Sequence, residues 1–439
     1  MEGGILSQLM VLDAGPRKFV ANCFLQLHPE ELKACRLVSK TWDQFILEEV
    51  WGSPSGRKKL SEKLVQMWNT ADPLIEELGQ PRQSVTSLFC DDRHIFCGQE
   101  NGKVGVYKLS SGQRVTHLTP GKGRPYNTNS NANLVTGSDG VLASVAWESI
   151  VRVWSTATSP LKQLHCFSSD RFYLLDASSN FLQLPDCGPT TVSNVQVIDR
   201  SKIAILVKHS RRSGPFLASL VVMEKGGSIW ENKNLACFTQ GTQFVRNLLS
   251  SDSDWLTFLN TSSTAEKKVT LWRGNENGKE IVLQGCKGLV KDMSMELPYI
   301  ILLSRDHDFR MNSISVYRVT ADNLEEVNAN AFMVKSIGIE NYSFDCGMSF
   351  ISNKFFLGCV QWLPNGVFVN LFESALLFHP AVPPEKLERR QIRMPGIFFD
   401  FEVNMNSTSL VTVKYERDEQ GKQIEQLVKR DFLMSNKVF

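Results

Sequence analysis

Ten cysteines are present, at 23, 35, 90, 97, 166, 187, 237, 286, 346 and 359, but no two of them form a Cys-x-x-Cys pair. A zinc site of common spacing is therefore not expected. Cys97, Cys237 and Cys359 sit in apolar, strand-like runs and read as buried, reduced thiols, which suits the cytosol or nucleus. No apolar run approaches 18 residues, so no helix is expected to cross a membrane. Met1-Glu2-Gly3-Gly4 has an acid where a secretory leader needs basic residues. The sequons at Asn260, Asn341 and Asn406 accordingly carry no expectation of glycan. Charge of one sign is also lacking: 48 Lys and Arg face 46 acids, a net of +2. That balance gives no footprint for nucleic acid or a membrane surface. Seven histidines show no His-Glu-x-x-His spacing, and Gly-x-Ser-x-Gly does not occur. Gly121-Lys122-Gly123-Arg124-Pro125 is glycine-rich, but Pro125 prevents the helix start that a phosphate cradle needs. No catalytic residue, metal ligand or cofactor site is expected, and the chain reads as a non-enzyme.

What is present divides into two styles of sequence. Hydrophobic residues make up 42% and charged residues 21%, as in ordinary globular chains. After a tail of residues 1–15, residues 16–51 read as short helices. Phe24 and Leu27 stand three apart, Pro29-Glu30-Glu31 resembles a helix start, and Val38 and Trp42 lie one turn apart on one face. Such a small unit buries too little apolar area to stand alone and needs a partner or a following domain. Residues 52–82 read as a helical linker, with Leu60, Leu64, Met67 and Trp68 at helical spacing and a further turn over Leu74 to Leu78. Arg57-Lys58-Lys59 reads as its solvated start.

From about Gln83 the period changes to short alternating strands that continue to residue 439. Ser84–Cys90, His94–Gln99, Lys103–Leu109 and Gln113–Leu118 are separated by turns, with Asn101-Gly102 the strongest hairpin signal among them. Val104–Tyr107, Val151–Trp154, Val269–Trp272 and Ile314–Tyr317 look like one strand seen four times, spaced by 47, 118 and 45 residues. Four strands in a repeat of 40 to 50 residues is a propeller pattern. The wide gap leaves room for another blade, with Ile203–Val207 and Phe216–Met223 as its middle strands. Two more fit over Val334–Phe378 and Gly396–Phe432. The expected fold is thus mainly β, a propeller of seven blades, or eight if the Phe172–Leu184 hairpin is a blade of its own. Lys386–Arg393 reads as a helical insertion between the last two blades.

Residues 16–51, ending in Leu37-Val38-Ser39-Lys40-Thr41-Trp42, resemble an F-box. The resemblance implies docking on the SKP-family adaptor and, through it, cullin, with Pro16, Phe24, Leu27, Leu32, Val38 and Trp42 as adaptor-facing or motif-core residues. Where the family usually has an acid two positions after the proline, this chain has Lys18. Residues 83–439 resemble the WD-repeat family in degenerate form. The Gly-His is absent from every blade, and Ser155 and Arg273 replace the aspartate after tryptophan. The two resemblances together imply a non-catalytic substrate receptor of an SKP–cullin–F-box ubiquitin ligase. The alternative is a WD-repeat scaffold whose F-box-like segment merely caps the propeller. In such propellers the loops between second and third strands commonly bind ligands. Here they hold Arg211 and Arg212, Lys267 and Lys268, then Arg305 and Arg310. An arc of these residues would suit an acidic or phosphorylated protein client. Their bland reading is as solvated loop charges.

Overall fold

The computed structural model describes residues between Ala14 and Ser435. Besides single positions and runs of two to four residues, residues 51–65, 119–133, 169–186, 241–247, 260–266, 274–278, 306–310, 320–328, 341–349 and 395–402 lie outside the description. Three helices come first: α1 (Ala14–Phe24), α2 (Pro29–Arg36) and α3 (Lys40–Phe45), the last running on into a π-helical turn over Ile46–Val50. Ser39 caps α3, its Oγ accepting the Trp42 backbone N–H at 3.2 Å, as the Ser-x-x-Trp spacing requires.

Twenty-eight strands follow in seven four-stranded blades. Strand β1 (Pro73–Glu77) stands apart from its neighbours in sequence. Blade one holds β2 (Val85–Cys90), β3 (His94–Gln99), β4 (Val104–Lys108) and β5 (Arg114–Leu118). Blade two holds β6 (Leu134–Ser138), β7 (Val141–Ala146), β8 (Ile150–Ser155) and β9 (Lys162–Ser168), and blade three β10 (Cys187–Val197), β11 (Lys202–Arg211), β12 (Phe216–Gly226) and β13 (Ile229–Gln240). Blade four comprises β14 (Leu248–Asp252), β15 (Trp255–Leu259), β16 (Lys267–Arg273) and β17 (Lys279–Gln284). Blade five comprises β18 (Leu289–Glu296), β19 (Tyr299–Arg305), β20 (Met311–Arg318) and β21 (Ala329–Glu340). Blade six is β22 (Phe350–Ser352), β23 (Phe356–Leu363), β24 (Gly366–Glu373) and β25 (Arg389–Arg393). Blade seven is β26 (Val403–Met405), β27 (Ser409–Arg417) and β28 (Gln423–Ser435), completed by β1 as its outermost strand. Within a blade the four strands are called a to d from the axis outward.

The four repeated segments are all c strands, namely β4, β8, β16 and β20, and β11 and β12 are the middle strands anticipated in the gap. Three of their aromatic ends are buried, and each packs toward the preceding blade. Tyr107 joins Val411, Val413 and Leu427, Trp154 joins Phe96 and Val104, and Tyr317 joins Leu259 and Leu271. The core is therefore a set of apolar layers between blades. Polar ties supplement it where the Gly-His is missing. Glu425 accepts the Val85 N–H (2.8 Å) and the Ser84 hydroxyl (2.7 Å), Ser87 accepts the Val135 N–H (3.1 Å), and Asp292 accepts the Phe350 N–H (2.6 Å). Each tie joins one blade to the a strand of the next, or to the residue just before it. At the rim, β17 and the start of β21 pair in parallel, so blades four and five share one eight-stranded sheet.

Several expectations are corrected. Residues 74–77 are not a helical turn but part of β1, antiparallel to β28 with Ile75 opposite Arg430. Leu78 continues the seam, its N–H donating to the Leu427 carbonyl at 2.7 Å. Gly112, at φ +65°, lies where a Cβ would fall 2.6 Å from the Leu78 Cβ, so only glycine lets this segment cross blade one's c–d turn. Lys386–Arg393 is not a helical insertion: a 3₁₀ turn over Pro384–Lys386 leads into β25, the outer strand of blade six. The segment beginning at Val334 belongs to blade five, and blade six starts at Phe350. The ring closes at seven blades. The Phe172–Leu184 hairpin lies outside the described residues, as do Leu60, Leu64 and Met67 of the linker, whereas Gln66 and Trp68 are helical.

Candidate interaction surfaces

The three helices form a cap on one face of the ring. Phe24 is the hub inside it, meeting Trp42 edge-on at 5.3 Å between ring centroids and Phe45 at 6.0 Å. Arg17 holds α1 to the π-helical turn through Glu49 at 2.7 Å, with its guanidinium 5.9 Å from the Phe45 ring centroid. Phe24, Leu32, Phe45, Ile46 and Val50 belong to one apolar cluster with Phe356 of blade six and Leu410 and Phe432 of blade seven. Trp68 completes the joint, stacked on Phe432 at 3.8 Å and tilted against Phe356 at 5.2 Å. Phe356 and Leu410 begin b strands just after the a–b turns, and Phe432 lies near the end of a c strand. The cap therefore sits on the face of the a–b and c–d turns, across blades six, seven and one.

A charged latch closes the joint on blade one. Asp43, only 6% exposed, accepts from Arg36 at 2.8 Å and pairs with Arg93 in the a–b turn between β2 and β3. Arg36 in turn reaches Asp92 of the same turn at 3.1 Å. Burial and the nearby Arg36 charge both lower the Arg93 pKa. The turn is shaped for this by Asp91, whose Oδ1 accepts the N–H groups of Arg93 and His94 at 2.7 and 2.6 Å. In the sequence Asp91-Asp92-Arg93 reads only as a turn, and no motif singles out Arg36 or Asp43. Their charges gave a signal, but the partners lie across the fold.

The six positions singled out by the resemblance separate by exposure. Phe24 and Leu32 are buried, Leu27 and Trp42 half-buried, and Val38 is 63% exposed. Pro16 falls in the first turn of α1, where its missing N–H costs nothing. Phe19, outside that set of six, is 66% exposed, whereas Val20 beside it is turned inward.

On the opposite face, the ends of the b and c strands bring Arg211, Lys267, Lys268 and Arg305 to successive blades three, four and five. Arg305 is 7% exposed and so is buried rather than presented. Arg212 and Arg310 lie outside the described residues. Among the described residues no group of three or more His, Cys, Asp or Glu is placed to hold a metal, and no helix is long and apolar enough to cross a membrane. Cys97 and Cys359 are free and buried, and burial pushes both thiols far up, away from the reactive thiolate.

This is a seven-bladed β-propeller with a helical cap. No protein-family model and no curated protein matches the chain. Among solved structures, the crystal structure of the RRP9 WD40 repeats has a TM-score of 0.51 to it at 13% identity, over 82% of this chain and 99% of that one. The structure of U3-55K scores 0.49 at 14% identity, over 81% and 98%. The WD40 domain of SCAP from fission yeast scores 0.46 at 8% identity, over 82% and 88%. At these identities the likeness is one of fold, and it rests on the first of the three.

Proposed function

We propose that the chain is the non-catalytic, client-selecting subunit of an SKP–cullin–F-box ubiquitin ligase, working in the cytosol or nucleus. Residues 16–51 would engage the SKP-family adaptor, and the face of the b–c loops would hold an acidic or phosphorylated client. The observation that supports this best is the division of faces. The cap covers the a–b side, keeps apolar Phe19 and Val38 outward, and leaves the b–c side to a second partner. A receptor that works by proximity needs two such separate surfaces on one rigid body.

A second reading, a WD-repeat scaffold with no ligase role, is favoured by the burial of Phe24 and Leu32 in one cluster with blades six and seven. Co-purification with the adaptor separates the two readings. Wild type is compared with a Phe19→Glu/Val38→Glu variant, whose exposed positions spare the core. Stoichiometric adaptor retained by wild type and lost in the monodisperse variant supports the receptor. A well-folded wild type that binds none moves the assignment to the scaffold. On the client side, replacing Arg211 and Arg212 by Ala should reduce any preference for phosphorylated over unphosphorylated client peptide, and an unchanged preference would sink that half.

A further inference from the structure

Arg430 lies near the middle of β28 and is 4% exposed, yet among the described residues no acid pairs with it. Its Nη2 donates to the Arg393 carbonyl of blade six at a long 3.4 Å, and its buried Nη1 has no hydrogen-bond partner. Asp431, next to it in sequence, is engaged elsewhere. Lys429 and Asp431 point to the other side of the strand, where Lys429 Nζ holds Glu76 at 2.7 Å and Asp431 at 3.0 Å. Burial alone lowers the Arg430 pKa, to about 10. A cation withdrawn from water without compensation is costly, and it usually stays where something else supplies the opposite charge.

A second guanidinium stands on the same side of β28. Phe432 follows Arg430 by two residues on the same face, about 7 Å along the strand. Arg390 of β25 places its Cζ 5.3 Å from the Phe432 ring centroid. Arg390 is half-buried and its neighbours Gln391 and Arg393 are exposed, so this interblade space reaches solvent at the outer edge of blade six. Arg390 is therefore the outer and Arg430 the inner of two planar forks in one interblade space.

We propose that the crevice between β25 and β28 is an oxyanion-binding site, taking a phosphoryl or carboxylate group, with Arg430 as its inner contact and Arg390 at its mouth. Guanidinium forks match paired oxygens of either group, and burial excludes the water that would otherwise weaken the pairing. The site is independent of the ligase reading. It lies beside the ring on which Trp68 stacks, where the cap meets the propeller.

The test uses the full chain, titrated with inorganic phosphate against chloride at constant ionic strength, and read by melting temperature and by calorimetry. Sodium acetate in a parallel arm separates a carboxylate site from a phosphoryl one. The expected result is a wild-type rise in melting temperature with phosphate or acetate beyond the chloride control. Arg430→Met, which removes the buried charge but keeps most of its volume, should melt no lower than wild type without anion and lose that rise. Arg390→Gln, at a half-exposed position that spares the fold, should bind roughly tenfold more weakly or worse, as expected for a lost charge-assisted hydrogen bond. No rise in wild type beyond chloride, or an undiminished response in either variant, overturns the site.

Discussion

Replacing Asp43 by Asn should loosen the cap from the propeller without touching its apolar joint. Asp43 receives Arg36 on one side and Arg93 on the other, and the Arg36 and Asp43 side chains are each 9% exposed. Removing one member of a buried pair costs about 3–5 kcal/mol, because the remaining charge is stranded. Two features reduce that figure here. Arg36 keeps Asp92 at 3.1 Å, and the Arg93 side chain is 53% exposed, so water takes over its share. An exposed pair is worth about 1 kcal/mol or less, which leaves a net loss of about 2–4 kcal/mol for Asp43→Asn. Asp92→Asn, at a side chain 26% exposed, should lose no more than about 1 kcal/mol. Guanidinium-free chemical denaturation of the full chain in urea gives both values. Trypsin cleavage after Arg36 gives the local opening directly, and should accelerate in the Asp43 variant first. Asp43→Asn within about 0.5 kcal/mol of wild type, the scatter of ordinary surface changes, would refute the latch.

Two further predictions concern the ring. Burial raises the Glu425 carboxyl above its ordinary value near 4.5, outweighing the Ser84 and Val85 bonds that favour the anion. The folded state then holds a proton that the unfolded state has lost. The Glu425 contribution is full below pH 4.5 and declines as pH rises through the raised value. Melting curves from pH 4 upward should show wild type losing ground to Glu425→Gln over that window, and a gap moving the other way contradicts the assignment. Trp68→Ala deletes a fully buried indole stacked between the cap and two blades, and should cost about 3–5 kcal/mol in urea unfolding. A loss under about 1 kcal/mol would mean the cap is not seated through this residue.

The elements read correctly from the sequence are those whose information is local. Blade one was legible to within a residue because Asn101-Gly102 and Ser111-Gly112 place glycine at positive φ between alternating strands. The c strands showed themselves through β-branched alternation ending in an aromatic. By contrast, Pro73-Leu-Ile-Glu-Glu has no alternation of its own, and becomes β1 only because β28 offers it an edge. Arg389–Arg393 looked helical for its charge, although the inward Ile392 and Met394 already stood two apart, the period of a strand. Of the cap, the helices were legible, but α3 starts at Lys40 behind the Ser39 cap, so Val38 lies outside it and does not share a helical face with Trp42. The cap's seat on blades six, seven and one was not legible, since Phe356, Phe432 and Asp92 meet it only after the ring has closed.

The pairing of β1 with β28 also dictates an order of events during synthesis. The strand at residues 73–77 emerges early but has no edge to join until residues 423–435 have been made. Until then blade seven lacks its c strand, Val85 lacks the Glu425 carboxylate, and the cap lacks the Phe432 ring on which Trp68 stacks. Blades one to six can each form from neighbouring hairpins as they appear, with short loops to close. The final step instead joins the two most distant parts of the chain at once, completing ring and cap together. A nascent chain halted before residue 423 would hold formed blades, an open ring and an unseated apolar cap, which is the form most exposed to aggregation.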